Sequence, residues 1–174
     1  RRVSRVFGWG PVAGWGEGRR LGLLGVGFAA PRALAPSGRV GNAEVRDVLD
    51  TVRTIARIHP ESLGAYVITM SQQASDVLAV VLLQKEALVR SPLRVVPLFE
   101  TANDLRRAPQ VIDQLLAIDQ YRNRINGRPE VMVGYSDSAK DAGRPSAGWD
   151  TYQAQDGTGR TSIRHRRRVP PWHG

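Results

Sequence analysis

Apolar positions change period in regular alternation between residues 42 and 135. Val45, Val48, Leu49, Val52, Ile55 and Ala56 recur at spacings of three and four. That spacing predicts an amphipathic helix with Asn42 as N-cap and Glu44 in the first turn, ending before Pro60. Gly64-Ala-Tyr-Val-Ile-Thr69 is then a short apolar run of strand type. Ser75 is expected to cap a helix reaching about Leu88, which Pro92 terminates. Leu93-Arg-Val-Val-Pro-Leu-Phe99 reads as the second strand. A helical stretch follows from Ala102 to about Ile125. Pro109 is expected to open its second half, with Val111, Ile112, Leu115, Leu116 and Ile118 as the apolar face. Asn126-Gly127 stops it, Glu130 to Tyr135 reads as a third strand, and Ser138 to about Gln155 as a last helix.

The alternation α-β-α-β-α-β-α predicts an α/β fold. Its strands are short and apolar throughout, as strands covered on both faces are, so a parallel sheet or barrel is expected. A closed (β/α)8 barrel needs eight strands and about 250 residues. About three parallel strands with their helices therefore form either a small α/β domain or, the reading favoured, a partial (β/α)8 barrel segment. It spans residues 41–156 and is flanked by irregular tails at 1–40 and 157–174.

Charge sharpens that division. The net charge is +9, which by itself suggests a nucleic-acid partner. Its distribution argues otherwise, because residues 1–40 carry +6, residues 157–174 carry +5 and the body between them carries −2. The globular part is mildly acidic and no nucleic-acid partner is expected. Cysteine is absent, which excludes disulfides, thiolate metal sites and a Cys nucleophile. The run from Leu21 to Ala30 is too short to cross a bilayer, so no membrane association is expected. Arg19-Arg20 before it and Ala33-Leu-Ala35 after it imitate a secretory signal, but about twenty residues precede the run and the first residue is not Met.

Reactive groups gather where strands end. Glu100 directly follows the second strand, and Asp137 lies two residues beyond Tyr135. In a parallel α/β arrangement both carboxylates belong to the carboxyl edge of the sheet, where side chains from different strands converge on one ligand. Two carboxylates with open positions suit a hard divalent cation such as Mg2+ or Mn2+. Spacing equally allows Glu100 to cap the helix after it and Asp137 or Ser138 to cap the last one. Lys140 is one of two lysines in the chain and is expected on the first turn of the last helix. A cation there opposes the helix dipole, which points to an anionic ligand, although a surface lysine would look the same. Gly134 and Gly143 permit close backbone packing or a tight turn.

The run Val131-Met-Val-Gly-Tyr-Ser-Asp-Ser-Ala-Lys-Asp-Ala-Gly143 resembles the signature of phosphoenolpyruvate carboxylases, position for position. Matching runs in the same order are Leu63-Gly-Ala-Tyr-Val-Ile-Thr-Met70, Ser75-Asp-Val-Leu-Ala-Val80 and Leu93 to Glu100. Tyr121-Arg-Asn-Arg-Ile-Asn-Gly127 and Ser146-Ala-Gly-Trp-Asp150 continue the series, so the resemblance covers about Ala43 to Gln155. It implies a lyase that joins bicarbonate to phosphoenolpyruvate, giving oxaloacetate and phosphate with Mg2+ or Mn2+. Such an enzyme fixes carbon dioxide and replenishes the tricarboxylic acid cycle, works in the cytoplasm and assembles as a homotetramer. In the family scheme bicarbonate attacks the phosphoryl group, forming carboxyphosphate and an enolate, and the enolate captures the released CO2. The resemblance carries the two metal carboxylates onto Glu100 and Asp137, and a lysine close to bicarbonate onto Lys140.

Two family motifs, Thr-Ala-His-Pro-Thr and His-Gly-Arg-Gly-Gly, do not occur in the 174 residues, and His59 in Ile58-His-Pro60 does not replace the first. The chain alone is therefore expected to lack turnover, as a fragment of such an enzyme. The alternatives are a non-catalytic or defunct protein derived from the barrel and a basic nucleic-acid binder. Neither the Gly-rich run Gly8 to Gly16 nor Gly157-Thr-Gly-Arg-Thr-Ser162 has the context of a phosphate-binding loop. The Gly, Arg, Pro and Trp texture of both ends also fits a shifted reading frame in GC-rich DNA.

Overall fold

In a computed structural model of the chain, residues 14–29, 43–134 and 144–166 are described. They contain six α-helices and three strands, in the order α1 (Glu17–Ala29), α2 (Ala43–Arg57), β1 (Ala65–Ile68), α3 (Ala74–Glu86), β2 (Arg94–Phe99), α4 (Ala102–Leu116), α5 (Asp119–Arg124), β3 (Met132–Val133) and α6 (Arg144–Arg166). The strands form an open parallel sheet in the order β1-β2-β3, with Leu98 opposite Met132 and Phe99 opposite Val133. The expected α/β class and barrel-segment character hold. The chain divides into two compact units, Arg1–Tyr66 with Ser75–Val95, and Val67–Ala74 with Val96–Gly174.

The first unit is built on α3, which is buried all round from Val77 to Gln84. A helix apolar on every side has no solvent face and needs cover on each flank. One flank is α1. Ser75 donates from its backbone N–H and its hydroxyl to the two carboxylate oxygens of Glu17, at 2.8 and 2.7 Å. At the other end Lys85 Nζ donates to the Gly27 and Phe28 carbonyls, at 3.0 and 2.8 Å. Residue 17 meets 75 and residue 27 meets 85, so α1 and α3 run parallel in register. Each charge sits where the helix dipole favours it, the carboxylate on amino-terminal N–H groups and the ammonium on carboxyl-terminal carbonyls. Buried Gln84 accepts from Leu93 N–H at 2.7 Å and donates to Leu93 C=O at 3.2 Å, which fixes the entry to β2. Leu88 N–H to Lys85 C=O and Val89 N–H to Gln84 C=O close α3 in a Schellman motif, with Leu88 left-handed at φ 55°.

In the second unit α4 begins with a reciprocal capping box. Thr101 Oγ1 accepts from Asp104 N–H at 3.1 Å, while Asp104 Oδ2 accepts from Thr101 N–H at 3.3 Å. Leu105, Ala108, Val111, Ile112, Leu115 and Leu116 form the buried face, close to the expected stripe. Helix α6 packs along α4 through Arg106–Asp150, Pro109–Gly157 and Asp113–His165, in the same order on both, so this pair is also parallel. Helix α5 ends in a second Schellman motif, with Gly127 N–H on Arg122 C=O at 2.9 Å and Asn126 left-handed at φ 51°.

Five expectations need correction. The segment 1–40, expected to be irregular, contains α1, because contacts to α3 supply what its Gly-rich sequence lacks in helical periodicity. Ser75 is not the N-cap of α3; it lies in the first turn and Glu17 satisfies it from another helix. Pro109 does not open a second half, since α4 runs unbroken through it and the chain leaves the helix only after Leu116. Strand β3 is two residues long, and Tyr135 lies outside the described residues. The last helix, described from Arg144, continues to Arg166, past Gly157 and Gly159 and into the expected tail, while Ser138 lies outside the described residues. Asn42 directly precedes α2 and lies outside the described residues.

Candidate active site

Glu100 is the first residue after β2, at the carboxyl edge of the sheet, and is half-buried. The alternative role open to it was to cap α4. Thr101 and Asp104 already perform that role, so the Glu100 carboxylate is not consumed by the helix. It forms no hydrogen bond or ion pair among the described residues. The neighbouring strand approaches closely here. Gly134 N–H donates to Phe99 C=O at 2.8 Å, and a Cβ on Gly134 would stand 2.9 Å from Glu100 Cβ and 3.4 Å from its Cα. Any side chain at 134 would thus push β3 away from Glu100 or displace it. Of the two uses foreseen for Gly134, close packing is the observed one.

Asp137 and Lys140 lie outside the described residues, as does Gly143. Of the three predicted site residues the structure therefore positions Glu100 alone, together with Gly134, from which the chain runs on to Asp137. No cluster of three or more His, Cys, Asp or Glu side chains suited to a metal occurs among the described residues. Among the described residues, two displaced proton affinities fall on α5. Burial pushes the Tyr121 hydroxyl up to about 12, against the opposing pull of Arg124, and burial lowers the Arg124 guanidinium. Tyr121 belongs to the buried core and both residues lie on α5, outside the strands.

A cleft of about 230 Å³ lies in the first unit, lined by Ile55, Ile58, Leu63, Val89 and Leu93 with Arg57 and Arg90. Its residues lead into β1 and β2, whereas Glu100 follows the far end of β2. Parallel α/β folds place their chemistry at the carboxyl end, so the cleft is not the candidate site. No helix among the described residues is long and apolar enough to cross a membrane.

The sequence profile of the family described as phosphoenolpyruvate carboxylase matches residues 2–174. The chain belongs to the phosphoenolpyruvate carboxylase family. It is 49% identical over 154 residues to phosphoenolpyruvate carboxylase 1 of Chlamydomonas reinhardtii, covering 88% of this chain and 16% of that protein. It is 45% identical over 172 residues to phosphoenolpyruvate carboxylase of Marinomonas sp. (strain MWYL1), covering 99% of this chain and 20% of that protein. Against phosphoenolpyruvate carboxylase 1 of Arabidopsis thaliana the identity is 47% over 160 residues, 92% of this chain and 16% of that protein. The chain thus spans a fifth or less of the length of these relatives. The likeness does not stop at Ala43 and Gln155 as the motifs suggested; it takes in both ends, which argues against a shifted frame there.

Proposed function

We propose that these residues form one wall of a site that carboxylates phosphoenolpyruvate with bicarbonate, releasing oxaloacetate and phosphate. Glu100 and Asp137 would hold Mg2+ or Mn2+, and Lys140 would stand beside bicarbonate. The observation that carries this reading is the uncommitted carboxylate of Glu100 at the carboxyl edge of β2, excused from capping by Thr101 and Asp104. Its donor chemistry fits the cation, since an ionised carboxylate with free oxygen lone pairs is a hard ligand. Three residues of chain reach at most about 11 Å, which sets the upper limit on how far Asp137 can stand from Gly134. A divalent ion bound there supplies positive charge for substrate oxygens that become more negative during reaction.

The chain's own residues then have separable tasks. Gly134 keeps β3 against β2, so that a group following it stays close to Glu100. Lys140 contributes a fixed ammonium that favours an anionic co-substrate. The motifs that complete the site in the resemblance do not occur in these residues, so the 174-residue chain alone forms no oxaloacetate. Assembly as a tetramer and cytoplasmic location belong to the same proposal.

Mn2+ binding to the purified chain, followed by electron paramagnetic resonance, tests the metal wall. Wild type is expected to bind Mn2+, with affinity reduced at least tenfold in Glu100→Gln and in Asp137→Asn. Equal affinity in all three proteins would sink the assignment. Oxaloacetate production by the unsupplemented chain, measured in a coupled assay, would overturn the expectation of inactivity.

A further inference from the structure

We propose that the turn Thr69–Ser71, directly after β1, is a further wall of the carboxyl-edge site, and that the Ser71 hydroxyl donates a hydrogen bond to an oxyanion held there. The inference rests on the reading of that edge as a ligand site. Three described non-glycine residues have positive φ: Met70 at 54°, Leu88 at 55° and Asn126 at 51°. Leu88 and Asn126 each close a helix in a Schellman motif, where a left-handed residue is required. Met70 closes no helix; it stands two residues beyond β1. A left-handed conformation in such a residue persists only where its surroundings impose it, and such positions gather at ligand sites. The Met70 side chain is 79% exposed, so its own packing does not account for the strain.

The next residue is its opposite. Ser71 is 1% exposed, and its hydroxyl has no hydrogen-bond partner among the described residues. Buried polar atoms are nearly always paired, and an unpaired one marks local strain or a place for a bound water, ion or ligand. In the sheet order β1-β2-β3 the carboxyl end of β1 lies beside that of β2, which carries Glu100. Val67–Ala74 and Glu100 also belong to the same compact unit. A neutral O–H donor complements a cation and an ammonium at such an edge, because it bonds a ligand oxygen that they leave free. The ligand class is a small anion bearing carboxylate or phosphate oxygens.

The test is Ser71→Ala in the 174-residue chain, with oxalate and inorganic phosphate titrated calorimetrically, with and without Mn2+. Wild type is expected to bind at least one anion, and the variant to bind it about tenfold more weakly. Its Tm should equal or exceed that of wild type, since a buried unpaired hydroxyl is removed. The anion that loses affinity identifies the group held. Unchanged affinity, no binding of either anion to wild type, or a fall in Tm together with affinity overturns the proposal. Met70→Gly is the second variant: release of strain should raise Tm while weakening the same anion. A higher Tm with unaltered affinity counts against the turn. Mn2+ binding to wild type, measured separately, reports on the Glu100 and Asp137 assignment alone. Mn2+ bound with Ser71-independent anion affinity refutes this inference and spares that assignment; the reverse pattern refutes the assignment and spares the inference.

Discussion

The two units each contain a parallel helix pair, but the pairs are joined by different chemistry. In the first, α1 and α3 are linked by a side chain of one helix bonding the backbone terminus of the other, through Glu17 on the start of α3 and Lys85 on the end of α1. In the second, α4 and α6 meet through side-chain pairs and through shape. Asp113 lies 2.9 Å from buried His165, Arg106 lies 3.4 Å from Asp150, and Pro109 fills the space left by Gly157. Termini carry fixed partial charges, so the first pair is specified by charge and tolerates variation in side-chain volume. The second is specified by fit and is intolerant of a single added methyl at its closest point.

The largest effect is expected where the first unit relies on a side chain to satisfy backbone. Gln84 is fully buried and pairs both polar groups of Leu93. Gln84→Leu keeps the volume but leaves the half-buried N–H and C=O of Leu93 without their partner, at about 1–3 kcal/mol for each group left unpaired. A loss of about 2–4 kcal/mol in urea unfolding is expected. A loss under about 0.5 kcal/mol would mean that side chain-to-backbone links do not hold this unit.

The contrasting test in the second unit uses two glycines on one helix. An added Cβ at Gly157 would stand 2.6 Å from Pro109 Cγ, while at Gly159 it would meet nothing within 4 Å. The proline ring cannot rotate away, so Gly157→Ala should destabilise by about 1–3 kcal/mol through overpacking. Gly159→Ala should stabilise by about 0.5–1 kcal/mol through helix propensity. The same substitution two residues apart is thus expected to change sign in thermal unfolding. Equal signs would remove shape fit as the basis of the α4–α6 pair.

These two sites also mark what the sequence could reveal. Val111, Ile112, Leu115 and Leu116 were legible because a one-sided helix writes its period into the chain, whereas Leu105 and Ala108 extend the buried face and Ile118 falls beyond the helix end. Asn126-Gly127 was legible because few residues take a left-handed φ. Helix α1 was not, since Gly18, Gly22, Gly25 and Gly27 dilute its pattern and its partners lie 58 residues away. The extension of α6 past Gly157 and Gly159 was hidden for the same reason: propensity signals a stop, and contacts to Pro109 and Asp113 override it. At the site, Glu100 was legible from the end of a strand. The choice between cap and ligand lay in Thr101-Ala-Asn-Asp104, a capping-box pattern present in the sequence. The turn at Met70 and Ser71 left no local signal.

Glu17→Gln asks how far charge, as opposed to hydrogen bonding, joins α1 to α3. Glutamine can still accept from Ser75 through its carbonyl oxygen but carries no charge toward the α3 terminus. A loss of about 1 kcal/mol is expected at low salt, shrinking as ionic strength screens the wild-type interaction. A loss independent of salt would shift the weight to geometry and make the two pairs more alike than they look.

The helix ends offer a gain in stability. Both Schellman motifs place a non-glycine residue at the left-handed position, Asn126 after α5 and Leu88 after α3. Asparagine tolerates that conformation through its short polar side chain, whereas leucine suffers the clash between Cβ and the following carbonyl. Leu88 recovers little by packing, because it is 82% exposed. Leu88→Gly should therefore stabilise the chain by about 1 kcal/mol, despite the greater freedom of glycine in the unfolded state. Asn126→Gly should change stability by less than half as much. A destabilised Leu88→Gly would mean that the leucine side chain makes a contact worth more than its backbone strain, and the closure of α3 would then depend on packing as the α4–α6 pair does.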